Sequence, residues 1–349
     1  MTQDAQETQA RGIPWGRILL RVVFLAVGLI SLYYLLPQLL DVFEQAPKLE
    51  DVQWRWFFLM AGLMTGAFVA LWELTRIAVP GTSWFVASTA QLTSNAMVKI
   101  TPGGIVAGGA FYFRMLAVSG VPMSHAAAAL AAIGLLSNLV LFALPAVAVI
   151  IAAISAPIPQ GMLPVAIAGT LLFIAMFTAT VVLVRYDAPL HAMGRIVETM
   201  IRWSAERFNR DWTFTETGLV ESRDLVVKAL EERWQRALGF AVLNWLLDYA
   251  TLVAALFAIG AQPRVSLVLL AFAGAAVLGM IPITPGGLGF VEAGLVGMLT
   301  IAGIPASDAL LATLAYRLFQ FWLPIPAGLV AYIIFRTQYG KLSELPELA

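Results

Sequence analysis

Long apolar runs, separated by short polar segments, dominate this chain. Six of the runs are long enough for a helix that crosses a bilayer, which needs about 20 residues. They are Trp15–Leu36, Trp54–Val79, Ser124–Ile154, Met162–Val184, Ala237–Ile259 and Asp308–Phe335. The pattern predicts an all-α integral membrane protein with six full spans.

Two further apolar regions, 83–119 and 266–302, are each interrupted by a helix-breaking Thr-Pro-Gly-Gly. The pentapeptide Ile-Thr-Pro-Gly-Gly at Ile100–Gly104 recurs at Ile283–Gly287, an offset of 183 residues (283 − 100). The flanks keep this offset without a gap, pairing Met115-Leu116 with Met298-Leu299, Gly120 with Gly303, Pro122 with Pro305 and Ser124 with Ser307. Broken helices at corresponding places in two halves indicate a transport site near the bilayer midplane.

The distribution of Lys and Arg predicts the orientation. Gln38–Gln53 carries four acidic residues and one lysine, whereas Arg185–Arg236 carries nine Lys or Arg. By the positive-inside rule, the N-terminal tail 1–14, the central linker and the C-terminal tail 337–349 are cytoplasmic. The first run is too long for a signal peptide and is expected to stay as a span. We therefore predict a multi-pass protein of the inner (cytoplasmic) cell membrane.

The number of membrane crossings before and after each interrupted region predicts the face at which the region enters and leaves. Region 83–119 must enter and leave at the cytoplasmic face, and region 266–302 at the outer face. Each half is only about 17 residues long, below the ~20 needed to cross. We expect a re-entrant helical hairpin in each membrane half, 15–184 and 237–336, with the halves forming an inverted repeat. Two steeply tilted spans in each region would preserve the same parity.

The linker 185–236 shows apolar residues at helical spacing, for example Leu190, Met193 and Ile196. The spacing predicts cytoplasmic or interfacial amphipathic helices. They serve either as a structured connection between the halves or in regulation.

Each Thr-Pro-Gly-Gly has the composition of a helix start. Thr101 and Thr284 are suited to the N-cap position and the following prolines to the first helical turn. Two helix N-termini that converge at the midplane would present N–H groups and positive dipole ends to an anion. The glycines allow close approach and are included in the candidate binding site, as Gly103, Gly104, Gly286 and Gly287. The alternative is that Pro-Gly-Gly serves only tight helix crossing.

Four ionisable residues fall deep within the apolar regions: Lys99, Asp248, Glu292 and Arg317. A charge at the bilayer centre costs at least ~2.5–3.5 kcal/mol, so lipid-facing placement is unfavourable. We expect mutual neutralisation, for example of Arg317 by Glu292 or by Asp248. These residues are candidates for substrate binding, and a static structural ion pair is the alternative. Asn244 lies four residues before Asp248, on the same helical face.

Arg114 is a weaker candidate, near the cytoplasmic mouth of the first hairpin. It is placed either to bind a lipid phosphate or to extend toward the interface. Glu73 and Arg76, three residues apart, are expected to form a helix-surface pair.

Other chemistries find no support in the sequence. The chain has two histidines, no cysteine and no HExxH spacing, so we expect no metal site. No Walker loop or GxSxG motif occurs, and hence we expect no cofactor. The formal net charge of zero gives no argument for nucleic-acid binding.

The stretch from Pro282 to Glu292, followed by Arg317, resembles a known family. It is similar to the flippase-like transmembrane family typified by the membrane domain of lysylphosphatidylglycerol synthase. The resemblance extends from about Trp15 to Phe335 and implies a membrane protein that moves a polar-headed lipid between leaflets. Glu292 and Arg317 match the acidic and arginine positions of that pattern. Gly109 stands where the second copy has Glu292 (292 − 183), so the copies are not chemically equal.

These observations lead us to expect a lipid translocase rather than an enzyme. The lipid phosphate would be held at the opposed helix N-termini, assisted by Lys99, Arg114 and Arg317. Few residues follow the last span, so we expect no aminoacyl-transferase domain here. The alternatives are an ion-coupled carrier of a small anion, a membrane-embedded lipid-modifying enzyme and a scaffold for a separate lipid-synthesising enzyme. A homo-oligomer is compatible with all of them.

Overall fold

The computed structural model describes residues 54–101, 104–155, 158–189, 191–192, 195, 224, 227, 233–280 and 284–340. The predicted first span, most of the linker 185–236 and the end of the C-terminal tail lie outside these residues. Every element that the described residues form is a helix. Five of these helices are long and apolar enough to cross a membrane. They correspond to five of the six predicted spans, with ends that agree within four residues.

The described residues form ten α-helices, α1 to α10, and three short turns of other helical types. In chain order the α-helices are α1 (Trp54–Ala78), α2 (Trp84–Ile100), α3 (Gly104–Val118), α4 (Met123–Ser155), α5 (Leu163–Arg185), α6 (Trp234–Ala258), α7 (Val265–Leu278), α8 (Phe290–Ile301), α9 (Ala306–Arg317) and α10 (Pro324–Tyr339). Two 3₁₀ turns cover Gln160–Met162 and Pro285–Gly287, and a π turn covers Leu318–Trp322.

The duplication seen in the sequence is present in the helix boundaries. Helix α3 ends at Val118 and α8 ends at Ile301, which is the equivalent position (118 + 183 = 301). Helix α4 begins at Met123 and α9 at Ala306, which are again equivalent (123 + 183 = 306). The two copies thus fold into the same helix–turn–helix unit.

The turns within these units have the same hydrogen bonds. Gly120 and Gly303 have φ angles of +90° and +95°, in the left-handed region that favours glycine. After each glycine, an N–H donates back to the helix, from Val121 to the Leu116 carbonyl (3.2 Å) and from Ile304 to the Leu299 carbonyl (3.1 Å). This is the Schellman end of a helix, and it explains why both copies keep the glycine.

Packing between the halves is reciprocal. Helix α2 packs on α10, and α7 packs on α4, whose second part is equivalent to α10. Helices α1 and α6, which are equivalent to each other, pack along one another. Each element thus contacts the counterpart of its own partner, which is the pattern of contacts expected of two halves related by a pseudo-two-fold axis.

The contact between α2 and α10 is close because α10 has a glycine there. A Cβ atom placed on Gly328 would lie 2.6 Å from the Cβ of Ala96. The Thr93 hydroxyl donates to the Gly328 carbonyl at 3.3 Å. Small residues that let helix backbones approach are typical of membrane interfaces.

Two apolar clusters form the interior. The larger one is built around α7, whose residues from Ser266 to Ala273 are all buried. The second joins the end of α1 to α2, α3 and the beginning of α4, and includes the fully buried Met115, Leu116 and Phe335. Because α7 is buried on all sides, it has the uniform hydrophobicity expected of a core helix.

The last predicted span is not one regular helix. Between α9 and α10, the π turn Leu318–Trp322 widens the helix, and the Leu323 N–H donates to the Leu318 carbonyl at 2.9 Å. Two prolines, Pro324 and Pro326, begin the helix that follows. Proline lacks an N–H donor, so regular hydrogen bonding cannot continue through this segment. Turns of π helix often occur at functional sites.

The bounds of the helices differ between the two breaks at Thr-Pro-Gly-Gly. Helix α2 ends at Ile100 and α3 begins at Gly104, whereas α7 ends at Leu278 and α8 begins at Phe290. The second copy has Gly289 where the first has Val106 (289 − 183). Gly289 has a φ angle of +78°, which a β-branched residue such as valine avoids. The positive φ at Gly289 explains why α8 begins only at Phe290.

Whether the repeat is inverted in the membrane stays a prediction, and the absence of cysteine makes it directly testable. Ser119→Cys and Ala302→Cys place single thiols at equivalent turns (119 + 183 = 302). In intact cells, a membrane-impermeant maleimide is expected to label Ala302→Cys but not Ser119→Cys. Ser119→Cys should be labelled only after the membrane has been opened. Labelling of both thiols from the same side would contradict the inverted repeat.

Candidate functional site

The two copies of the repeated motif are in contact. Lys99 lies in the last turn of α2, directly before the first break. A Cβ atom placed on Gly286 in the second break would lie 3.3 Å from the Cα of Lys99. Pro102 and Gly103 lie outside the described residues, and Gly104 is buried. The fold therefore brings together two segments that are 183 residues apart in sequence (283 − 100).

Arg317, at the end of α9, forms a buried ion pair with Glu292 of α8. The Arg317 Nε donates to Glu292 Oε1 at 2.6 Å, and each side chain is only 5% exposed. Nη1 donates to Gln320 Oε1 at 3.0 Å, and Nη2 to the Gly286 carbonyl at 3.3 Å. All three guanidinium nitrogens thus have an acceptor, which a buried ion pair needs in order to offset desolvation. Of the two neutralising partners considered for Arg317, Glu292 is the direct one.

Lys99 is held by the backbone of the π turn. Its ammonium donates to the Gln320 carbonyl and lies 5.6 Å from the centre of the Phe321 ring. In a regular helix the N–H of residue 324 would bind this carbonyl, but residue 324 is proline. The missing donor leaves the Gln320 carbonyl available to Lys99. An ammonium has three N–H donors, so this bond leaves capacity for a further acceptor.

The Phe321 ring lies between the two cations. The Arg317 guanidinium lies 4.5 Å from the ring centre, and the Lys99 ammonium lies 5.6 Å from the same centre. A cation near an aromatic face is stabilised by roughly 0.5–2 kcal/mol. We refer to Lys99, Glu292, Arg317, Gln320 and Phe321 as the charged cluster.

Asp248 of α6 lies beside this cluster. The Tyr316 hydroxyl donates to Asp248 Oδ1 at 2.9 Å. Asp248 is near enough to Lys99 and Arg317 to interact electrostatically with both. The four ionisable residues that the sequence placed in the membrane thus come together as two cations and two anions.

One oxygen of Glu292 is unpaired among the described residues. Glu292 Oε2 is buried and has no hydrogen-bond partner. The residue lies in the first turn of α8, where the helix dipole favours negative charge. The positive end of α8 therefore already faces a carboxylate of the protein itself.

The predicted N-cap at Thr284 is present, but at a 3₁₀ turn rather than at an α-helix. Thr284 is the N-cap of the turn Pro285–Gly287, with Pro285 at its start, and its hydroxyl donates to the Leu288 carbonyl at 2.9 Å instead of accepting from a helix N–H. The turn does not continue as an α-helix because Gly286 and Gly287 have φ angles of +57° and +73°. Thr101 is the C-cap of α2, with its N–H bonded to the Met97 carbonyl, and the two residues that follow it lie outside the described residues.

A polar cavity of about 340 Å³ lies against the charged cluster. Its polar lining combines amide side chains with one carboxylate, from Gln91, Asn95, Asn138, Asn244, Gln320 and Asp248. We refer to it as the amide cavity. Asn244 and Asp248 share one face of α6, as the sequence predicts, whereas the other amides were not predicted. Gln91 and Asn95 are four residues apart and hence on one face of α2, but this helix also carries serines and threonines, so their spacing is a weak signal.

An apolar groove adjoins the amide cavity. It has a volume of about 200 Å³ and shares Met64 and Phe68 with the cavity lining. The groove runs between α1, α2 and α10, and its walls include Trp72, Leu92, Phe319 and Leu323. The neighbouring residues Phe319 and Gln320 line the groove and the cavity respectively.

Arg114 is not part of this arrangement. It is exposed on α3 and is not among the residues that contact the charged cluster or line the amide cavity. Glu73 and Arg76 form the predicted surface pair, with Arg76 Nη1 at 2.8 Å from Glu73 Oε1. This pair is more exposed, at 22% for Glu73 and 35% for Arg76.

Apolar helices of spanning length, broken helices and a buried charged cluster together define a helical membrane protein with an internal repeat. Within that class, the chain belongs to the lysylphosphatidylglycerol synthase TM region family, whose model matches residues 18–328. This confirms the family resemblance seen in the sequence.

Curated relatives are membrane proteins of the same kind. The chain is 26% identical over 173 residues to a UPF0104 membrane protein of Methanothermobacter thermautotrophicus, covering 49% of this chain and 51% of the relative. A further match to a UPF0104 membrane protein of this organism is 30% identical over 115 residues, 32% of each chain. The chain thus spans about half the length of the first relative and about a third of the second. No solved structure matches it significantly.

The buried ion pair predicts a large difference between two similar substitutions. Glu292→Gln leaves Arg317 buried without its counter-ion and is expected to destabilise the protein by about 3–5 kcal/mol. Glu73→Gln, in the more exposed pair, should cost less than about 1 kcal/mol. The measurement is equilibrium unfolding in mixed detergent micelles. Equal losses for the two variants would show that the buried pair contributes no more than the surface pair.

The second break predicts a graded response of its glycines. Gly289→Ala imposes only left-handed strain, about 1–2 kcal/mol, because a Cβ there meets open space. Gly286→Ala adds a collision with the Phe321 ring and should lower the melting temperature further. Gly109→Ala, in a regular helix with open space, is the control and should be neutral or slightly stabilising. A reversed order would mean that the backbone of the second break differs from this description.

Proposed function

We propose that this chain is a lipid translocase that moves a polar-headed lipid between membrane leaflets. The observation that carries the proposal is the adjacency of the amide cavity and the apolar groove, which share Met64 and Phe68. A polar compartment next to an apolar one matches a molecule with a headgroup and an acyl chain. A small polar solute would not occupy the apolar groove.

Family membership supports a lipid-related role. The family model carries the name of the membrane region of lysylphosphatidylglycerol synthase, which is named for a lipid product. The activity itself, the direction of movement and the lipid are our proposal for this chain.

Within this proposal, Lys99 binds the lipid phosphate. Its ammonium bonds to one carbonyl among the described residues, whereas every nitrogen of the Arg317 guanidinium already bonds to Glu292, Gln320 or Gly286. Helix α3 begins at the adjacent break, and its N-terminal N–H groups favour an anion in the same region. The Arg317–Glu292 pair then fixes the second break against the first rather than binding the lipid directly.

Movement would use the segments in which regular helix hydrogen bonding is interrupted. These are the break between α2 and α3, the break between α7 and α8, and the π turn Leu318–Trp322. Helices bend at such places because fewer backbone hydrogen bonds resist the change. With the halves arranged as the predicted inverted repeat, rocking one against the other would open the site to each leaflet alternately.

A second candidate function is supported by the unpaired oxygen of Glu292. A buried carboxylate that lacks one partner can exchange a proton or bind a cation, as in ion-coupled carriers. In that case the transported species is a small anion at Lys99, and the groove holds only membrane lipid.

The translocase proposal predicts lipid movement by the purified chain. In vesicles with fluorescent phospholipid in both leaflets, the protein should expose inner-leaflet lipid to an impermeant quencher faster than empty vesicles do. Lys99→Gln is expected to slow this at least tenfold, the effect of losing about 1.4 kcal/mol of binding to the moving headgroup. The reason is that it removes an ammonium that keeps two of its three donors for a ligand.

Two controls make this experiment specific. Glu73→Gln changes a charge on α1 without touching the site and should translocate lipid at the wild-type rate. Thermal unfolding of Lys99→Gln separates a lost site from a lost fold. Equal rates for wild type and Lys99→Gln would reject the site, and rates equal to empty vesicles for all variants would reject the translocase. Conversion of labelled lipid to a new product in detergent would instead indicate an enzyme.

A further inference from the structure

The amide cavity differs in chemistry from the charged cluster beside it. Five amide side chains contribute to its polar lining, from Gln91, Asn95, Asn138, Asn244 and Gln320. Each amide group offers two N–H donors and a carbonyl acceptor. A hydroxyl group is likewise both donor and acceptor. A lining of this kind therefore matches a ligand that carries several hydroxyls better than one that only donates or only accepts.

One of these amides has no partner within the described residues. Asn95 Oδ1 is buried without a hydrogen bond, although a buried unpaired oxygen costs free energy. Such groups in native structures call for an explanation, and a bound ligand or water supplies it. Asn244 is different, because its Nδ2 donates to the Ala67 carbonyl at 3.0 Å and ties α6 to α1.

The surrounding charges disfavour an ionic group in the amide cavity. A cationic headgroup in the cavity would face Asp248, but Asp248 already accepts from Tyr316 and interacts with both Lys99 and Arg317. A second anionic group, beyond the phosphate at Lys99, would meet the Asp248 carboxylate itself. The cavity volume of about 340 Å³ lies within the range of small-molecule sites, ~300–1,000 Å³. A neutral, polar group fits these conditions.

An aromatic side chain adds a flat apolar wall. Trp245 lines the cavity, and its indole Nε1 donates to the Ser137 carbonyl at 2.9 Å. Its ring also packs edge-on against Phe272, 6.0 Å between ring centres. The ring is therefore fixed in place and can receive the C–H face of a sugar ring.

Resting on the proposed lipid translocation, we propose that the amide cavity binds the sugar of a phosphoglycolipid whose phosphate is held at Lys99. The sugar hydroxyls bond to the amides, one of them to Asn95 Oδ1, and the acyl chain lies in the adjoining apolar groove. Free sugar shares the headgroup chemistry, but only the lipid also fills the groove.

Binding to the purified protein tests this inference. Native mass spectrometry in detergent compares phosphatidylglucoside, phosphatidylethanolamine and phosphatidylcholine, which share the phosphate and carry the same acyl chains. We expect phosphatidylglucoside to be retained at least tenfold better than the other two. Asn95→Leu removes an oxygen that has no protein partner, so binding should weaken about tenfold while the melting temperature is unchanged.

Matched amide substitutions control for structure. Gln338→Leu, exposed near the end of α10, should change neither binding nor melting temperature. Asn244→Leu should lower the melting temperature, because it removes the bond to Ala67. If Asn95→Leu does not fold, Asn138→Leu makes the same comparison.

The outcomes separate this inference from the proposed function. Equal retention of the three lipids, or full glycolipid binding by both Asn95→Leu and Asn138→Leu, overturns the sugar assignment. Complete competition by free glucose overturns the lipid part of it. Translocation in vesicles without headgroup preference leaves the translocase standing and rejects the sugar site. Glycolipid binding without translocation keeps the cavity assignment and rejects the translocase.

Discussion

A buried guanidinium is stable in an apolar interior only when each of its nitrogens has an acceptor. In this protein the acceptors of Arg317 come from three places: Glu292 on α8, Gly286 in the second break and Gln320 in the π turn. Satisfying one cation therefore fixes the relative position of three backbone segments. The first break joins them through Lys99, which binds the same π turn. Most of what is irregular in the described chain is assembled around these two cations.

Much of the fold follows from the sequence because it depends on signals that repeat. Apolar runs of spanning length predicted five of the described spanning helices, and the offset of 183 residues (283 − 100) predicted equivalent turns at Gly120 and Gly303. The association of Lys99, Glu292, Arg317 and Asp248 followed from the cost of charge in a membrane. These predictions rest on properties that single residues or local patterns carry with them.

What could not be predicted depends on contacts between distant segments. Gln91, Asn95, Asn138 and Gln320 look unremarkable in sequence, and only the packing of α2, α4, α6 and the π turn makes them one lining. The helix start expected at Thr284 forms only a 3₁₀ turn, for a related reason. Glycines at 286, 287 and 289 adopt positive φ angles that the sequence permits but does not require. The tertiary contacts of the Gly286 carbonyl with Arg317 select that conformation.

The bond between Lys99 and the Gln320 carbonyl has a consequence for how this site can vary among related chains. The acceptor belongs to the backbone, so the side chain at position 320 can change without removing it. What makes the carbonyl available is the absence of an N–H at Pro324, four residues further on. The acceptor of Lys99 is thus determined by Pro324, a residue that need not contact the lysine. In a relative that lacks this proline, the N–H of residue 324 would bind the carbonyl of residue 320 within the helix. A cation at position 99 would then need a different acceptor.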